Sequence, residues 1–413
     1  MSTQNSFLDT SWIAMEPLAL LINDLVVAQY FNTEYEKEFK KDFAVGATIT
    51  VKFPQRFLVV NAMGYAPQGV NRISTTVSLD TWLQVPFEWD DYEAAVKLER
   101  SREELREQYF YPAAQALAQE FDSRAALWGY QNASMVSGVL GTDATTVNTY
   151  YDARRQLRQA AAPDDAKILA LSTSMVKSLG QNVTNFFNPQ DEISGLFKRM
   201  RLGPIAGFEP HESNSLYSHT AGTWAAAVTV NGGSQSGTSL TITATAGDTF
   251  NIGDKFSIAN VNSVNPMTRR IPGPASAKTF TITAALTAAG GGADVINFLP
   301  PIFGPGSQYQ NVDALPSNSA ALTLWPGTSS PNGKVGTVGL AMGRKAFAMI
   351  SGRLYQPKKV EDGAVQQDKQ TGIALRFIKF FDPVRSVQGH RYDSLIGFGN
   401  LFQDNDAVAV AGA

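Results

Sequence analysis

The sequence predicts an α+β protein in which an all-β block interrupts a mixed region of helices and strands. Residues 88–130 carry the strongest helical pattern, and residues 46–87 are rich in the β-branched residues typical of strands. Near residue 221 the composition shifts to Thr, Ser, Gly, Ala and Val, and it stays so to about residue 333. A β-only block between two mixed blocks indicates a domain inserted into a host domain.

The N-terminal part predicts a helix, then an arm, then a β-hairpin. Residues 17–31 have the apolar pattern of a helix, and Pro17 suits its first turn. Further along, the segments TITVKF, FLVV and ISTTVSL are predicted strands, with a turn-forming stretch from Gly64 to Gly69 between them. We therefore expect a long hairpin with a projecting loop near residues 54–75.

Residues 88–130 predict either two consecutive helices or one helix kinked at Pro112. The first part is rich in helix formers and pairs Glu93 with Lys97 at the i,i+4 spacing. The second part carries an apolar stripe along one helix face, formed by Ala113, Leu117, Phe121, Ala125 and Trp128. Such a stripe is typical of a helix that packs one face against other elements.

The rest of the chain predicts shorter elements. Residues 148–162 are a predicted helix, KILALS is a predicted buried strand and TSMVKSLGQ is a predicted short helix. The β block has short strands at regular spacing with Gly turns, which indicates a small barrel or sandwich. Beyond the β block, GLAMGRKAFAMI is predicted to be helical, and TGIALRFIKFF and SLIGFGNLF are predicted strands. The predicted segments are an N-terminal helix and arm, a hairpin region, a long helix, the first part of a mixed body, an inserted β domain and the second part of the body: residues 1–45, 46–87, 88–130, 131–221, 222–333 and 334–413.

The amino-acid composition excludes most kinds of catalytic and metal-binding site. The 413 residues contain no cysteine and three histidines, which excludes disulfides, thiolate catalysis and cysteine-bound zinc. His211 and His219 lack a plausible third and fourth metal ligand, and His390 with Asp393 is interpreted as a surface polar pair. We predict no catalytic, cofactor-binding or metal-binding residue, and we do not expect an enzyme.

Charge and hydropathy indicate a protein that neither grips nucleic acid nor enters a membrane. The net charge is −3, whereas proteins that bind phosphates strongly are usually basic. The first Lys is Lys37, so no basic flank precedes an apolar run. The run from Leu18 to Val27 is interrupted by Asn23 and Asp24 and is shorter than the roughly 20 residues of a membrane span. We expect a chain that is made and stays in the cytoplasm until it assembles.

Three stretches resemble the tailed-phage capsid fold, also called the Hong Kong 97-type fold. Residues 112–129 look like the end of its long spine helix. Residues 203–223 look like the segment that leads into the inserted β domain in coat proteins of the short-tailed Salmonella phage type, and residues 372–410 resemble their closing strands. The similarity spans nearly the whole chain, is weakest in residues 1–15 and inside the β block, and depends on the order and spacing of these stretches.

The resemblance implies a major capsid protein with an N-terminal arm, an extended hairpin loop, a spine helix, and axial and peripheral domains. Its subunits would form pentamers and hexamers that close into an icosahedral head. The implied partners are further copies of the chain, a scaffolding protein, a portal protein, packaged double-stranded DNA bound without sequence specificity, and in some heads a decoration protein. No cofactor and no membrane is implied. The implied location is the virion capsid, after assembly in the cytoplasm of the host bacterium.

Two departures from relatives carry information. Some relatives cross-link a Lys of the extended loop to an Asn of a neighbouring subunit, but here no Lys lies between Lys52 and Lys97. We therefore predict a shell held without covalent bonds. Some relatives also carry a long N-terminal scaffolding segment, for which the short stretch before the hairpin leaves no room, so we expect a separate scaffolding protein.

Two sets of arginines are candidate contact residues. Arg154, Arg155 and Arg158 either face packaged DNA or form a solvated or subunit-contacting face of a helix. The candidates for assembly contacts lie in the hairpin region and in a loop of the β block, and they are Arg56, Arg72, Arg269 and Arg270. An ordinary exposed loop is the alternative for the last two.

Two rival functions stay open at this point. A shell protein of a cellular nanocompartment would use the same fold, but the β block disfavours it. A β-rich surface binding module would fit the Thr- and Gly-rich segment, but it would need an export signal. Neighbouring genes for a terminase and a portal protein would favour the capsid protein over both.

Overall fold

The computed structural model describes residues 10–33, 48–52, 55–57, 59, 63–65, 67–69, 73–90, 106–163, 167–183, 203–224, 228–273, 276–325, 333–344, 346–356, 362–368, 371–401 and 407–413. The chain divides into two compact units. The first comprises Met1–Val51, Thr75–Ala125 and Phe347–Gly399, and the second comprises Lys52–Ser74, Ala126–Ala346 and Asn400–Ala413.

Four α-helices lie within the described residues. They are α1 (Thr10–Asp24), α2 (Tyr111–Asn132), α3 (Asn148–Gln159) and α4 (Thr173–Val183). A 3₁₀ turn at Ala28–Tyr30 follows α1, and a π-helical turn at Arg106–Phe110 precedes α2. None of the helices in the described ranges is long and apolar enough to cross a membrane.

The described chain also contains twenty-one strands. In chain order the strands are β1 (Thr48–Lys52), β2 (Ser74–Ser78), β3 (Thr81–Asp90), β4 (Met135–Ser137), β5 (Lys167–Leu171), β6 (Glu209–Glu212), β7 (Ser218–Thr220), β8 (Thr229–Val230), β9 (Gly237–Thr243), β10 (Thr249–Phe250), β11 (Lys255–Asn262), β12 (Ala277–Ile282), β13 (Leu286–Thr287), β14 (Asp294–Ile302), β15 (Leu322–Leu324), β16 (Val335–Gly343), β17 (Phe347–Gly352), β18 (Asp362–Gln367), β19 (Ala374–Asp382), β20 (Val387–Asn400) and β21 (Ala407–Ala411).

The first unit is built on a five-stranded sheet with the order β17-β20-β19-β18, in which β3 also pairs with β20. The pairing of β3 with β20 is antiparallel and runs from Thr81 opposite Ile396 to Asp90 opposite Val387. Helix α1 packs on β18 and β19. Strands β1 and β2 form a separate two-stranded sheet, as expected for the arms of the predicted hairpin.

The second unit contains a mixed sheet with the order β4-β21-β16-β5-β6, on which β7 also pairs with β16. Strands β5 and β21 are buried at every residue, because they are central strands covered on both faces. Helices α3 and α4 pack on this sheet through Tyr150, Leu157 and Met175. The predicted elements at residues 148–162, 167–172 and near 173–181 are therefore confirmed in type, with α3 ending at Gln159.

A six-stranded sheet with the order β15-β11-β12-β14-β9-β8 also belongs to the second unit. Its neighbouring strands are antiparallel, and three rings in tilted or edge-to-face contact (Phe256, Phe280 and Phe298) form its apolar centre with centroids 5.1–5.7 Å apart. The segment that forms this sheet, residues 221–334, lies between β7 and β16. Because Thr220 lies opposite Val335 in the β7–β16 ladder, the two ends of this excursion from the mixed sheet are adjacent.

Several predicted boundaries were wrong. The first helix begins at Thr10 instead of residue 17, so Pro17 lies inside α1 and not in its first turn. Residues 88–90 belong to β3, and residues 91–105 lie outside the described residues, so the description of the long helix begins at the π-helical turn. In the segment FLVV, residues 57 and 59 are not in a strand, and residues 58 and 60 lie outside the described part.

The prediction of a helix at GLAMGRKAFAMI was also wrong. This segment forms the end of β16 and the beginning of β17. Every residue of β17 is buried, as are the last six residues of β16, so neither stretch shows the alternation that marks a half-exposed strand. An uninterrupted apolar run has no period of its own, and that is why it was mistaken for a helix.

Candidate functional site

The predicted DNA-facing arginines lie on α3, whose exposed face is strongly charged. Arg155 is exposed, and its Nε lies 3.1 Å from Asp152 Oδ1 in an ion pair. Arg158 is also exposed. Arg154 differs, because it is half-buried and its Nη1 donates to the carbonyl oxygen of Ala206 at 2.5 Å. Arg155 and Arg158 are therefore the exposed members of this cluster, while Arg154 contacts a neighbouring turn.

Arg269 and Arg270 lie in a tight loop organised by Asn265. The Asn265 side chain accepts hydrogen bonds from the amides of Met267 and Thr268 at 2.9 and 3.2 Å. Arg269 adopts a left-handed backbone (φ 55°), and its Nη2 donates to the carbonyl oxygen of Gln308 at 3.1 Å. Partial burial lowers the pKa of Arg269. The side chain of Arg270 is exposed.

Arg56 meets the same segment from the other side. Gln308 Nε2 donates to the carbonyl oxygen of Arg56 at 3.1 Å, and the guanidinium carbon of Arg56 lies 6.0 Å from the ring centroid of Tyr309. Tyr309 also donates to Gln55 Oε1 at 3.3 Å. The structure thus brings Arg56 and Arg269 together around Gln308. Arg72 lies outside the described residues.

The loop of Arg269 also touches the end of α3. Asn265 Nδ2 donates to the carbonyl oxygen of Gln159 at 3.3 Å. Beside this contact an open cleft is lined by residues of α3, including Arg155 and Gln156, and by residues 276–279 at the start of β12. The loop that carries Arg269 and Arg270 therefore contacts the end of the helix that carries Arg155 and Arg158, a contact that the sequence did not predict.

The described part of the hairpin loop exposes apolar side chains. Phe57 is 57% exposed, Val59 99% and Tyr65 94%, and Met63 is fully exposed. Single exposed apolar residues are ordinary, but four in one short segment mark a surface suited to contact with another protein chain.

The histidines hold structural positions. His219 is buried, and its Nε2 lies 2.8 Å from Oδ1 of Asp254, which directly precedes β11. The sequence did not predict Asp254 as the partner of His219. Among the described residues, no group of three or more His, Cys, Asp or Glu could hold a metal ion.

The interpretation of His390 and Asp393 as a surface pair was wrong. Both are buried, and the His390 ring stacks between Phe87 and Phe377 at centroid distances of 5.3 and 5.7 Å. Asp393 instead accepts hydrogen bonds from Arg376 Nη2 at 2.5 Å and from Arg391 Nε at 3.1 Å. A three-residue spacing on one strand puts the two side chains on opposite faces, which a reading of strand periodicity predicts.

Buried ionic groups are the main class of residue that sequence reasoning missed. Asp122, Asp254, Lys255 and Asp393 are all at most 3% exposed. Charged side chains are rarely buried without partners, and the partners of Asp122 and Lys255 include backbone groups from distant parts of the chain. The sole local signal was that Asp254 and Lys255 lie in a segment with few charges.

Comparison with known proteins identifies the family. The model of the family described as P22 coat protein, gene protein 5, matches residues 20–332. A comparison with curated protein sequences finds no match.

The comparison with solved structures finds similar chains in phages and in a virus-like particle. One from Mycobacterium phage Che8 is 12% identical, with 94% of this chain and 92% of that chain covered and a TM-score of 0.49. The mature capsid of bacteriophage PhiM1 is 10% identical, with 89% and 82% covered and a TM-score of 0.43. A virus-like particle from Pyrococcus furiosus is 7% identical, with 97% of both chains covered and a TM-score of 0.40. The family assignment does not depend on these likenesses.

The family model covers far more than half of the chain, and it includes α2, the mixed sheet up to β7 and the six-stranded sheet. This protein therefore belongs to the P22 coat protein family, and it is a phage major capsid protein, the subunit that forms the shell of the head.

Proposed function

We propose that this capsid protein assembles into pentamers and hexamers of an icosahedral head with the Hong Kong 97-type architecture, and that no covalent cross-link joins its subunits. The observation that carries the proposal is the match of the coat protein family to residues 20–332. The mixed α+β content of the chain is compatible with it. The role is structural, so no reaction is assigned to the chain.

The hairpin loop between β1 and β2 is the proposed inter-subunit contact. Its exposed Phe57, Val59, Met63 and Tyr65 support this role, because burial of such side chains against a neighbour is favourable by about 25 cal/mol per Å² of apolar area. Extended segments of this kind gain main-chain and side-chain contacts when a neighbouring chain is added. The absence of Lys from residues 53–96 supports contacts without an isopeptide bond.

Residues 222–333 are the proposed inserted domain, within a host body of residues 131–221 and 334–413. The adjacency of Thr220 and Val335 in the β7–β16 ladder supports an insertion, since one short gap in the body would accept the whole segment. The pairing of β8, β9, β11, β12, β14 and β15 with one another supports a domain with its own sheet.

The proposed partners are further copies of the chain, a scaffolding protein, a portal protein, double-stranded DNA and, in some heads, a decoration protein, with assembly in the host cytoplasm. The weak negative charge of the chain supports containment of DNA without tight binding, because strong phosphate binding would oppose release of the genome. Arg155 and Arg158 stay the candidates for local contact with DNA. Arg56, Arg72, Arg269 and Arg270 stay the candidates for assembly contacts.

The test is to express the chain with and without its scaffolding protein and to image the purified products by negative-stain electron microscopy. We expect closed shells of uniform size with scaffolding protein, and irregular shells, spirals or monomers without it. A chain that stays monomeric in the presence of scaffolding protein would overturn the proposed assembly.

Charge reversal at exposed positions distinguishes the proposed assembly contacts from the proposed DNA contacts. We expect Arg270→Glu to reduce the yield of closed shells, because the change places a carboxylate at a proposed contact. We expect Arg158→Glu to leave that yield unchanged but to lower the DNA content of the heads. Arg124→Glu is the matched control, since Arg124 is exposed on α2 and pairs with Glu120. Equal effects of all three changes on shell yield would contradict both assignments.

A further inference from the structure

The carboxyl end of α2 satisfies only part of its own backbone: Asn132 Nδ2 donates to the carbonyl oxygen of Trp128 at 2.9 Å. The last carbonyl groups of a helix have no intrahelical partner and carry a partial negative charge. No basic residue lies in the last turn of α2. The amide of Ala133 still donates to the carbonyl oxygen of Gly129 at 2.8 Å, after which the chain passes directly into β4. The carbonyl oxygen of Val136 in β4 accepts from Gln156 Nε2 at 2.8 Å, whereas those of Tyr130, Ala133, Ser134 and Gly138 take donors from elsewhere.

The six-stranded sheet supplies these donors from side chains. Lys255 Nζ donates to the carbonyl oxygen of Tyr130 at 2.8 Å and also to that of Ala133. Thr281 Oγ1 donates to the carbonyl oxygen of Ala133 at 3.0 Å, and Thr279 Oγ1 donates to that of Ser134 at 2.5 Å. Trp325 Nε1 donates to the carbonyl oxygen of Gly138 at 2.9 Å. These donors are more than 120 residues away in sequence from the groups that they bind.

The four donors share one face of the sheet because of its register. Lys255 lies opposite Thr281 across the β11–β12 ladder, and Thr279 is two residues from Thr281, so all three side chains point the same way. Phe256 pairs with Leu324, which puts Trp325 opposite Lys255 on the other side of β11. The amide of Trp325 donates to the carbonyl oxygen of Lys255 at 2.7 Å.

Lys255 is built for this position. Its side chain is 1% exposed, and Nζ has three acceptors, since Thr281 Oγ1 at 3.0 Å completes the set with the two carbonyl oxygens. The ammonium also lies 4.3 Å from the centroid of the Tyr130 ring. Gly253 allows the close approach: it has φ 94°, and a Cβ there would lie 2.8 Å from the Tyr130 ring. Burial lowers the pKa of Lys255, and the neighbouring Asp254 counteracts this in part.

Asp254 fixes the strand that carries Lys255. Its carboxylate accepts hydrogen bonds from the amides of Asn251 at 2.7 Å and Gly222 at 3.1 Å, and it binds His219 Nε2 at 2.8 Å. His219 belongs to β7, which pairs with the mixed sheet through β16. The start of β11 is therefore tied both to the helix end and to the strand from which the chain departs.

We propose that the six-stranded sheet is a built-in cap for α2: Lys255, Thr279, Thr281 and Trp325 complete the end of the helix and its passage into β4, so that this region becomes stable only after the sheet has docked. The coupling follows from satisfaction of polar groups, because separation would remove the protein donors of four carbonyl groups and two of the acceptors of the Lys255 ammonium. The α2–β4 junction and the sheet then open and close as one cooperative unit.

The test is amide hydrogen exchange of the purified full-length chain, compared between Lys255→Met and the unchanged protein. Methionine keeps an unbranched side chain but removes all three donors. We expect exchange of the amides in residues 129–138 to become at least about tenfold faster, while β5 and β16 keep their protection. Lys177→Met is the matched control, because Lys177 is an exposed residue of α4, and we expect it to leave residues 129–138 unchanged.

A second variant distinguishes a local loss of protection from a general failure to fold. Thr279→Val is close to isosteric and removes the single hydrogen bond to the carbonyl oxygen of Ser134, so we expect a smaller acceleration, confined to the same residues. If both variants accelerate exchange within β11 and β12 but leave residues 129–138 protected, the sheet does not cap the helix and the proposal is wrong. Uniform acceleration throughout the second unit by Thr279→Val would also contradict it.

Discussion

Asp122 shows how one buried side chain connects two helical segments. Its carboxylate accepts hydrogen bonds from three successive amides, those of Val26, Val27 and Ala28, at 2.7, 3.0 and 2.9 Å. These amides lie just after α1, at the start of the 3₁₀ turn. Burial raises the pKa of Asp122, and the three hydrogen bonds offset part of that effect. A carboxylate suits the position because it has acceptors and no donors.

We expect Asp122→Asn to destabilise the chain by about 1–3 kcal/mol, because the amide group turns a donor toward backbone amides that need an acceptor. Urea unfolding of the unassembled subunit, followed by tryptophan fluorescence, measures the change. The control is Glu120→Gln on the same helix, where the ion pair with Arg124 is exposed and its loss should cost less than about 0.5 kcal/mol. Equal effects of the two variants would exclude the role assigned to Asp122.

His390 makes the stability of the first unit depend on pH. Burial lowers the pKa of His390 to about 4, and the neighbouring Lys379 adds to this effect. Between pH 4 and the ordinary value near 6.5 the unfolded chain binds more protons than the folded chain. The contribution of His390 to stability therefore falls as the pH falls through this window and changes no further below pH 4.

The expected loss between pH 7 and pH 4 is on the order of 3 kcal/mol for this one residue. Thermal unfolding of the unassembled subunit at a series of pH values measures it. His390→Phe keeps an aromatic ring between Phe87 and Phe377 but cannot titrate, so its stability should decline less over the same range. Identical pH profiles of the two proteins would show that His390 is not the group responsible.

At the residue scale, sequence reasoning identified the exposed arginines but not the buried charges. Arg155, Arg158 and Arg270 are exposed, as expected for arginines on a solvent-facing helix surface or in an exposed loop. Asp122 and Lys255 could not be identified, because a charged residue in a helix or a strand is normally assigned to its polar face. Their backbone partners lie more than 90 residues away, so the neighbouring sequence carries no information about those contacts.

At the scale of elements, periodicity worked where one face was exposed and failed where both were buried. In the apolar stripe of α2, Ala113, Leu117, Phe121 and Ala125 are buried, as predicted. In β16 and β17 the continuous apolar run concealed two strands. The early start of α1 was missed because Pro17 was taken as an N-terminal signal, whereas the helix accommodates it in its interior.

Glycines distinguish strand from helix in these segments, and Gly339 of β16 gives a direct test. A Cβ at Gly339 would lie 2.6 Å from the carbonyl oxygen of Ala170 in the neighbouring β5, so Gly339→Ala must push two central strands apart. We expect a loss of about 1–3 kcal/mol, measured by urea unfolding.

Gly180→Ala in α4 is the matched control, because nothing lies within 4 Å of a Cβ there. Alanine favours a helix over glycine, so we expect this change to stabilise the chain by about 0.5–1 kcal/mol. Had GLAMGRKAFAMI been a helix, both substitutions would stabilise the protein. Opposite signs of the two changes are therefore the outcome that the strand assignment requires.

At the scale of the whole molecule, the absence of Lys from the hairpin region predicts the behaviour of finished heads. Purified heads that are boiled in denaturant should give a single band at the mass of one subunit on a denaturing gel. A ladder of covalent multimers would contradict this, and mass spectrometry of the cross-linked peptides would then identify the residues that had replaced the missing lysine.

The family and the function were predictable from the order of a few stretches, and the family match confirms both. The topology was not predictable in the same way. The pairing of β7 with β16, and the central position of β21 between β4 and β16, depend on contacts between residues far apart in the chain. The boundaries of the proposed inserted domain stay a prediction.

The ladder that joins Thr220 to Val335 also bears on how such capsid proteins diversify. Adjacent strands hold the two ends of residues 221–334 about 5 Å apart, whatever lies between them. The entropic cost of a flexible excursion rises only with the logarithm of its length, by about 0.6 kcal/mol for each doubling. Exposed turns of the excursion, such as Gly232 and Gly233, are therefore suitable sites for grafting peptides, and a head built from such subunits would display one graft per copy.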